Sequence, residues 1–370
     1  MSEPTVPKPA AYASVSALDA GHITLRDALY VTDVDDDAHS TMPTLCFLVR
    51  HPSRDGATVT NLLFDLGMKR DVSTYPPGMR GMVERDVERG LMTISPDCGE
   101  SLRRGAGGGH EHEGEGQGEG EEDLLTPERD VDFVILSHVH WDHTGTPADF
   151  ARAVFIVGAG SLHLVANGAA PYNPAREFNA DELPLSRTVE LPPAYDAAVE
   201  SVGEFSAYYA GVQTPLPTTT AIGMEALPGS RRGEVPLTWI PFAGFNATID
   251  FFGDGSVYIV DCPGHLYGHV NLLVCTGRGK YVYLGGDCCH DGRILTGERG
   301  VAEYVDERGE MRSAHVNTRL ARESLKRIRE CRASLQREEE EGVEVEVEVV
   351  IAHDKGWRER NRHRFWPGVL

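Results

Sequence analysis

Apolar residues along this chain fall into short runs bounded by turn residues, more often than into helical stripes. Thr44–Arg50 and Asn61–Phe64 flank a turn-rich Pro52–Gly56 and predict a hairpin. Val131–Leu136 and Ala153–Val157 predict two further strands. Thr248–Phe252 and Ser256–Val260 surround Gly253-Asp254-Gly255, and Val270–Cys275 and Lys280–Leu284 surround Thr276–Gly279. Both pairs predict hairpins. Val343–Ile351 alternates Val with Glu and then turns wholly apolar, as a strand does when it passes from a half-wet to a dry setting. Helical spacing is clearest at Thr318–Arg337, where Leu320, Leu325, Ile328, Cys331 and Leu335 share a face and Asn317 stands as N-cap. A second helix is predicted near Ala197–Tyr209. Strands interleaved with few helices, and no dinucleotide-type glycine fingerprint, predict two packed sheets with helices outside.

The 370 residues are read as one domain, 1–370, with two elaborations. Residues 105–123, GAGGGHEHEGEGQGEGEED, have little to bury and repel themselves. They predict a solvated insertion in which His110 and His112 make a poor metal site. Residues from about 162 to 241, rich in Pro, Gly, Ala and Tyr, predict an elaborated substrate-side region. Net charge is −22 and no basic stripe accompanies it, which argues against nucleic acid as a partner. No run of about 18 apolar residues predicts a membrane span. Seven cysteines without ribbon spacing predict reduced thiols and a cytoplasmic location. The basic, aromatic Arg358–Gly368 is expected to dock on the domain surface.

The chemistry concentrates in Ser137–Gly145, SHVHWDHTG, immediately after a predicted strand. His138, His140, Asp142 and His143 supply four metal-capable groups within six residues. In extended backbone, positions two apart project to the same side, so His138 and His140 can meet one ion while Asp142 and His143 face another. Three later strands also end in metal-capable groups: Asp261-Cys-Pro-Gly-His265-Leu-Tyr-Gly-His269, Gly285-Gly-Asp287, and Ala352-His353-Asp354.

With those motifs in that order, the sequence resembles the metallo-β-lactamase superfamily from about Leu45 to His353. The resemblance implies an α/β fold, a four-layer αβ/βα sandwich with a dinuclear site at one edge of its sheets. It further implies that His138, His140 and His269 hold one ion, that Asp142, His143 and His353 hold the other, and that Asp287 bridges them. The second histidine of the family's GHxxGH motif is the ligand, which favours His269 over His265. Asp65, ending Leu-Leu-Phe, matches an aspartate that the family places beneath the metals. A bridging Asp287 argues against the family's antibiotic-degrading members with a cysteine ligand there, and the first motif looks most like the lactonase-like branch, which includes fungal hydrolases. That branch places a tyrosine three residues after the bridging aspartate, where this chain has His290.

The function expected is hydrolysis of a small cyclic acyl compound, a lactone, lactam or cyclic carbamate, in detoxification or secondary metabolism. Two divalent ions, zinc first and manganese or iron as substitutes, would activate a bridging water whose pKa falls to about 7 on zinc. Asp142 is the candidate to take the water's proton, and His290 to assist the oxyanion or leaving group. Tyr208, Tyr209, Trp239, Phe242 and Phe245 are candidates for the pocket wall. The alternative is a thioesterase of the glyoxalase II or carrier-thioester type.

Overall fold

A computed structural model describes residues 9, 11–105, 124–169, 173–194, 238–306, 308–338 and 342–370. Among these, the strands are β1 (Ser14–Arg26), β2 (His39–Pro52), β3 (Val59–Phe64), β4 (Met92–Thr93), β5 (Phe133–Ile135), β6 (Val154–Val157), β7 (Gly168–Ala169), β8 (Asn173–Pro174) and β9 (Thr188–Glu190). They continue as β10 (Ile240–Phe242), β11 (Phe245–Asp250), β12 (Val257–Asp261), β13 (Val270–Gly277), β14 (Lys280–Leu284), β15 (Tyr304–Val305), β16 (Met311–Arg312) and β17 (Glu346–Val350). A seven-stranded sheet runs β4-β1-β2-β3-β5-β6-β9, and a six-stranded sheet runs β10-β11-β12-β13-β14-β17. β1–β3 pair antiparallel, while β3, β5, β6 and β9 are parallel to one another. The second sheet is antiparallel except for β14 and β17.

Alternation of side chains across the pleat makes four layers. Phe64, Ile135 and Ile156 face Ile259, Leu272 and Leu284 between the sheets. Their neighbours Leu63, Val134 and Phe155 point the other way, into a core shared with Leu102 and Leu164 of the helices Cys98–Arg104 and Ser161–Asn167. On the far side, Tyr258, Leu273 and Tyr283 meet Leu325, Ile328 and Cys331 of the helix Thr318–Glu338. Strands covered on both faces are almost wholly apolar, which is why they read as runs. The expected αβ/βα sandwich is the observed fold.

Several boundaries move. The Thr248–Phe252 strand stops at Asp250, because that carboxylate accepts the N–H groups of Gly253 (2.9 Å) and Gly255 (2.8 Å) and opens a wider turn. The Thr318 helix is capped as expected, Asn317 Oδ1 accepting from Leu320 N at 3.0 Å. β1 precedes the stretch read as strand-bearing; its Ser, Ala and Gly dilute the apolar signal, and its register shifts between Asp19 and His22. The C-terminal segment docks as expected: Arg358 pairs with Asp19, Arg364 with Glu348, and Trp366 is buried. Residues 106–123, the helix expected near 197–209, Tyr208 and Tyr209 lie outside the described residues. All seven cysteines are free and buried, including Cys288 and Cys289. Among the described residues no helix is long and apolar enough to cross a membrane.

Candidate metal centre

The histidine motif begins two residues past β5, and the other contributors also follow strand ends: Asp65 after β3, His265 and His269 after β12, Asp287 after β14, His353 after β17. Parallel pairing of β3 with β5 and of β14 with β17 brings their carboxyl ends to one rim. Gly286 allows the approach. Its φ is +46°, and a Cβ there would lie 2.8 Å from Ser137 Cβ.

Asp65 lies beneath this rim, at φ +63°. That left-handed conformation is held by three contacts: Oδ1 accepts from Ser137 N (2.6 Å), and Oδ2 from Ser137 Oγ (2.7 Å) and His143 Nδ1 (2.9 Å). Because Ser137 Oγ already donates to Asp65, the 3.0 Å contact with His138 Nδ1 requires the imidazole to donate. His353 Nδ1 donates to Pro43 O at 2.8 Å. These bonds fix three tautomers and leave the Nε2 lone pairs of His138, His143 and His353 facing inward.

What those lone pairs face decides the chemistry. His138 Nε2 lies 2.9 Å from His140 Nδ1 and 3.2 Å from His265 Nε2, and the last two are 3.1 Å apart. Asp287 Oδ1 lies 3.2 Å from His143 Nε2 and 3.3 Å from His353 Nε2, while Asp142 Oδ2 stands 3.9 and 3.8 Å from the same two nitrogens. The other oxygen of Asp287, Oδ2, is 3.5 Å from His265 Nε2 and 3.9 Å from His138 Nε2. Each carboxylate oxygen therefore addresses a different group of imidazoles. His143 Nε2 and Asp287 Oδ1 are buried with no hydrogen-bond partner in the described structure. Lone pairs and a carboxylate packed this closely need cations between them, and the donor set is what borderline divalent metals take. The residues present fit two ions.

Electrostatics divides the cluster. Burial, with neighbouring imidazoles, pushes His138 and His265 well below the ordinary histidine value, and burial lowers His140. Burial pulls the same way on His143 and His353, but Asp287 and Asp142 overcome it and both end raised. Burial would lift the Asp287 carboxyl, yet His143, His353 and His290 hold it well below the usual carboxylate range.

Six of the seven expected ligands come together: His138, His140, Asp142, His143, Asp287 and His353. His269 does not join them. Its Nε2 accepts from Asp287 N–H at 3.1 Å and its Nδ1 donates to Cys262 O at 3.1 Å, so both nitrogens are engaged and burial drives its pKa down to about 4. His265 stands beside His138 and His140 instead. The resemblance favours His269; in the structure the loop between β12 and β13 turns the His265 ring inward instead. His290 reaches the cluster, its Nε2 donating to Asp287 Oδ2 at 3.0 Å and its ring stacked on His353. His315 was not anticipated. It is buried beside His265 and His290, three residues past the two-residue strand β16, which is too short to mark it in the sequence. Phe242 and Phe245 belong to the core, packed on Tyr258 and Tyr283, and Trp239 donates to Pro192 O, so none of the three is placed at the metal cluster.

No family model matches the chain. Over 298 residues, 78% of the chain, it is 26% identical to cytochrome P450 monooxygenase mpaDE′ of Penicillium brevicompactum, of which it spans 27%. It is 25% identical over 311 residues to metallo-hydrolase mfmC of Annulohypoxylon moriforme, covering 80% of this chain and 64% of that one. It is 24% identical over 254 residues to gamma-lactamase FDB1 of Fusarium pseudograminearum, covering 66% of this chain and 44% of that one. The chain thus spans between about a quarter and two thirds of the length of these relatives. Among solved structures, an N-acyl homoserine lactone hydrolase with the product N-hexanoyl-L-homoserine at its catalytic metal centre superposes with a TM-score of 0.55 at 16% identity, over 97% of this chain and 100% of that one. A quorum-quenching N-acyl homoserine lactone lactonase matches with a TM-score of 0.55 at 15% identity, over 97% and 99%. The chain thus shares the fold of these N-acyl homoserine lactone lactonases and hydrolases.

Proposed function

We propose that this chain is a dinuclear metal-dependent hydrolase that opens a cyclic acyl compound: a lactone, a lactam or a cyclic carbamate. The observation that carries the reading is the convergence of His138, His140 and His265 on one side of Asp287 and Asp142, His143 and His353 on the other, with the tautomers of His138, His143 and His353 locked from outside. The lactone hydrolase structures of like fold and the gamma-lactamase among the relatives lend support to cyclic esters and amides as the substrate class.

Two dications, with zinc the first candidate, would supply a Lewis acid for the substrate carbonyl and a water deprotonated near neutral pH. The protein's own groups do the rest. Asp287 keeps the two halves at a fixed separation. Asp142, partly exposed at 13% and within 4 Å of His143 and His353, accepts the proton released by the attacking water. His290 is anchored through Nε2 to Asp287, and its buried Nδ1 lacks a partner among the described residues; with both ring nitrogens protonated it would give the Nδ1 proton to the departing oxygen or nitrogen. We also infer a cytoplasmic location, which the seven buried thiols favour.

The test is a panel of a lactone, a lactam, a cyclic carbamate and a thioester, offered to metal-replete protein and to protein stripped by chelation. Turnover of a cyclic ester or amide that vanishes on stripping and returns with metal is expected. Preference for the thioester would replace this reading with a thioesterase, and equal turnover with and without metal would remove it.

A further inference from the structure

Two cavities reach the cluster from opposite sides. One, of about 660 Å³, touches His290 and His353, and Asp291, Arg293, Lys355 and Arg360 give its wall a charged character. The other, of about 510 Å³, touches His140 and His265 and is walled by Tyr304, Met311 and His315 among others. His315 is only 4% exposed, and both its ring nitrogens lack a hydrogen-bond partner among the described residues. A neutral imidazole carries one donor and one acceptor, so this cavity wall holds a buried polar pair that a ligand's heteroatom would satisfy.

The cavity's outer lip is the hairpin β15–β16, with Tyr304 opposite Arg312 and Val305 opposite Met311. Val305 is 62% and Met311 59% exposed, two apolar side chains paired in open solvent beside a route to the centre. The charges nearby are already matched within the protein: Asp306 accepts from Arg312 at 2.8 Å, and Glu303 accepts from Arg322 and Thr318, each at 2.7 Å. A wall that is apolar at the lip, internally neutralised, and unsatisfied at His315, with Asn173 Nδ2 and His265 Nδ1 also lacking partners among the described residues, suits an uncharged ligand with an apolar substituent and polar heteroatoms.

We propose that this cavity is the recognition pocket, in which His315 hydrogen-bonds a heteroatom of an uncharged cyclic acyl compound and the Tyr304–Arg312 hairpin packs on its apolar substituent. The proposal rests on the dinuclear hydrolase reading and names the side from which its substrate enters. A competing use of the same residues is a third cation, since one ring nitrogen from each of His265, His290 and His315 lies within 4.8 Å of the others. That ion would have to share His265 with the first half of the centre and sit against two dications whose carboxylates are already committed.

The experiment titrates two metal-binding probes, benzohydroxamate and acetohydroxamate, into metal-replete full chain by calorimetry, with metal content measured on the same samples. The wild type is expected to hold two ions and to bind the phenyl-bearing probe about tenfold more tightly. Met311→Asp, on an exposed position, should erase that margin and leave acetohydroxamate within about twofold. His315→Ala should weaken both probes by about tenfold with two ions retained, and His315→Gln should recover part of the loss. Equal affinities in the wild type, an unchanged margin in Met311→Asp, or unchanged binding in His315→Ala would overturn the proposal. So would three ions in the wild type that fall to two in His315→Ala. A wild-type chain that takes up no metal removes the hydrolase reading itself.

Discussion

The two halves of the histidine cluster are built from different donors, though they share Asp287. The His138, His140 and His265 half is all imidazole, and burial outweighs the pull of Asp287, so all three rings are lowered, His138 and His265 well below the ordinary histidine value. The Asp142, His143 and His353 half has two carboxylates against two imidazoles, and those imidazoles are raised. One half is poised to take a metal with no proton to displace. The other holds protons where a dication would sit. The difference teaches that a single cluster can have two metal affinities with unequal pH sensitivity, set by where the carboxylates stand.

The most severe way to break the comparison is to remove what both halves share. Asp287→Ala should bring the metal content from two ions to below one and hydrolysis down by about a thousandfold or more, roughly 4 kcal/mol of barrier. Elemental analysis beside a rate assay checks it. Next in size is the contrast between two neighbouring histidines. His265→Ala should leave one ion and an almost inactive protein. His269→Ala should keep both ions and lose about 1–3 kcal/mol of stability through the orphaned Asp287 N–H, read by denaturant titration. The opposite pattern would return His269 to the first half.

Asp65→Asn comes third. It retains the size of the side chain but weakens the direct anchor of His143, so the second ion should bind about 10–100-fold less tightly, while the first, reached only through Ser137 and His138, weakens less. Competition with a chromophoric chelator resolves the two steps. The mildest effect is that of pH. From about pH 8 to 6, protons on the raised His143 and His353 compete increasingly with metal, so the second ion's affinity falls as pH falls. The lowered His138, His140 and His265 stay unprotonated over that range, so the first ion's affinity changes little. Parallel weakening of both ions would contradict the division.

Much of this was legible because it is local. SHVHWDHTG places four groups in one turn, and backbone geometry alone sorts them into two directions. The sandwich was legible because strands dry on both faces are almost wholly apolar, as at Val270–Cys275, where Asn271 is the exception. What escaped was set by contacts distant in sequence. β1 is a long strand whose Val15, Leu18, Ile23 and Leu25 are spaced out by Ser, Ala, Gly and charged residues, and its pairing with β2 is what holds it extended. The choice between His265 and His269 depends on whether a ring turns toward His138 or toward the Asp287 backbone, eighteen residues further on. His315 has no motif at all, and only the packing of its loop against His265 and His290 brings it to the centre.

The central claim is that six side chains shared between two cations, with Asp287 spanning them, make this protein a hydrolase. Metal content per chain, measured on replete wild-type protein alongside hydrolysis before chelation, after it, and after metal is restored, tests that claim most directly. The account predicts two ions and an activity that follows them down and back. A well-folded protein that retains no more than traces of metal, or that hydrolyses its substrate equally well without it, would contradict the account.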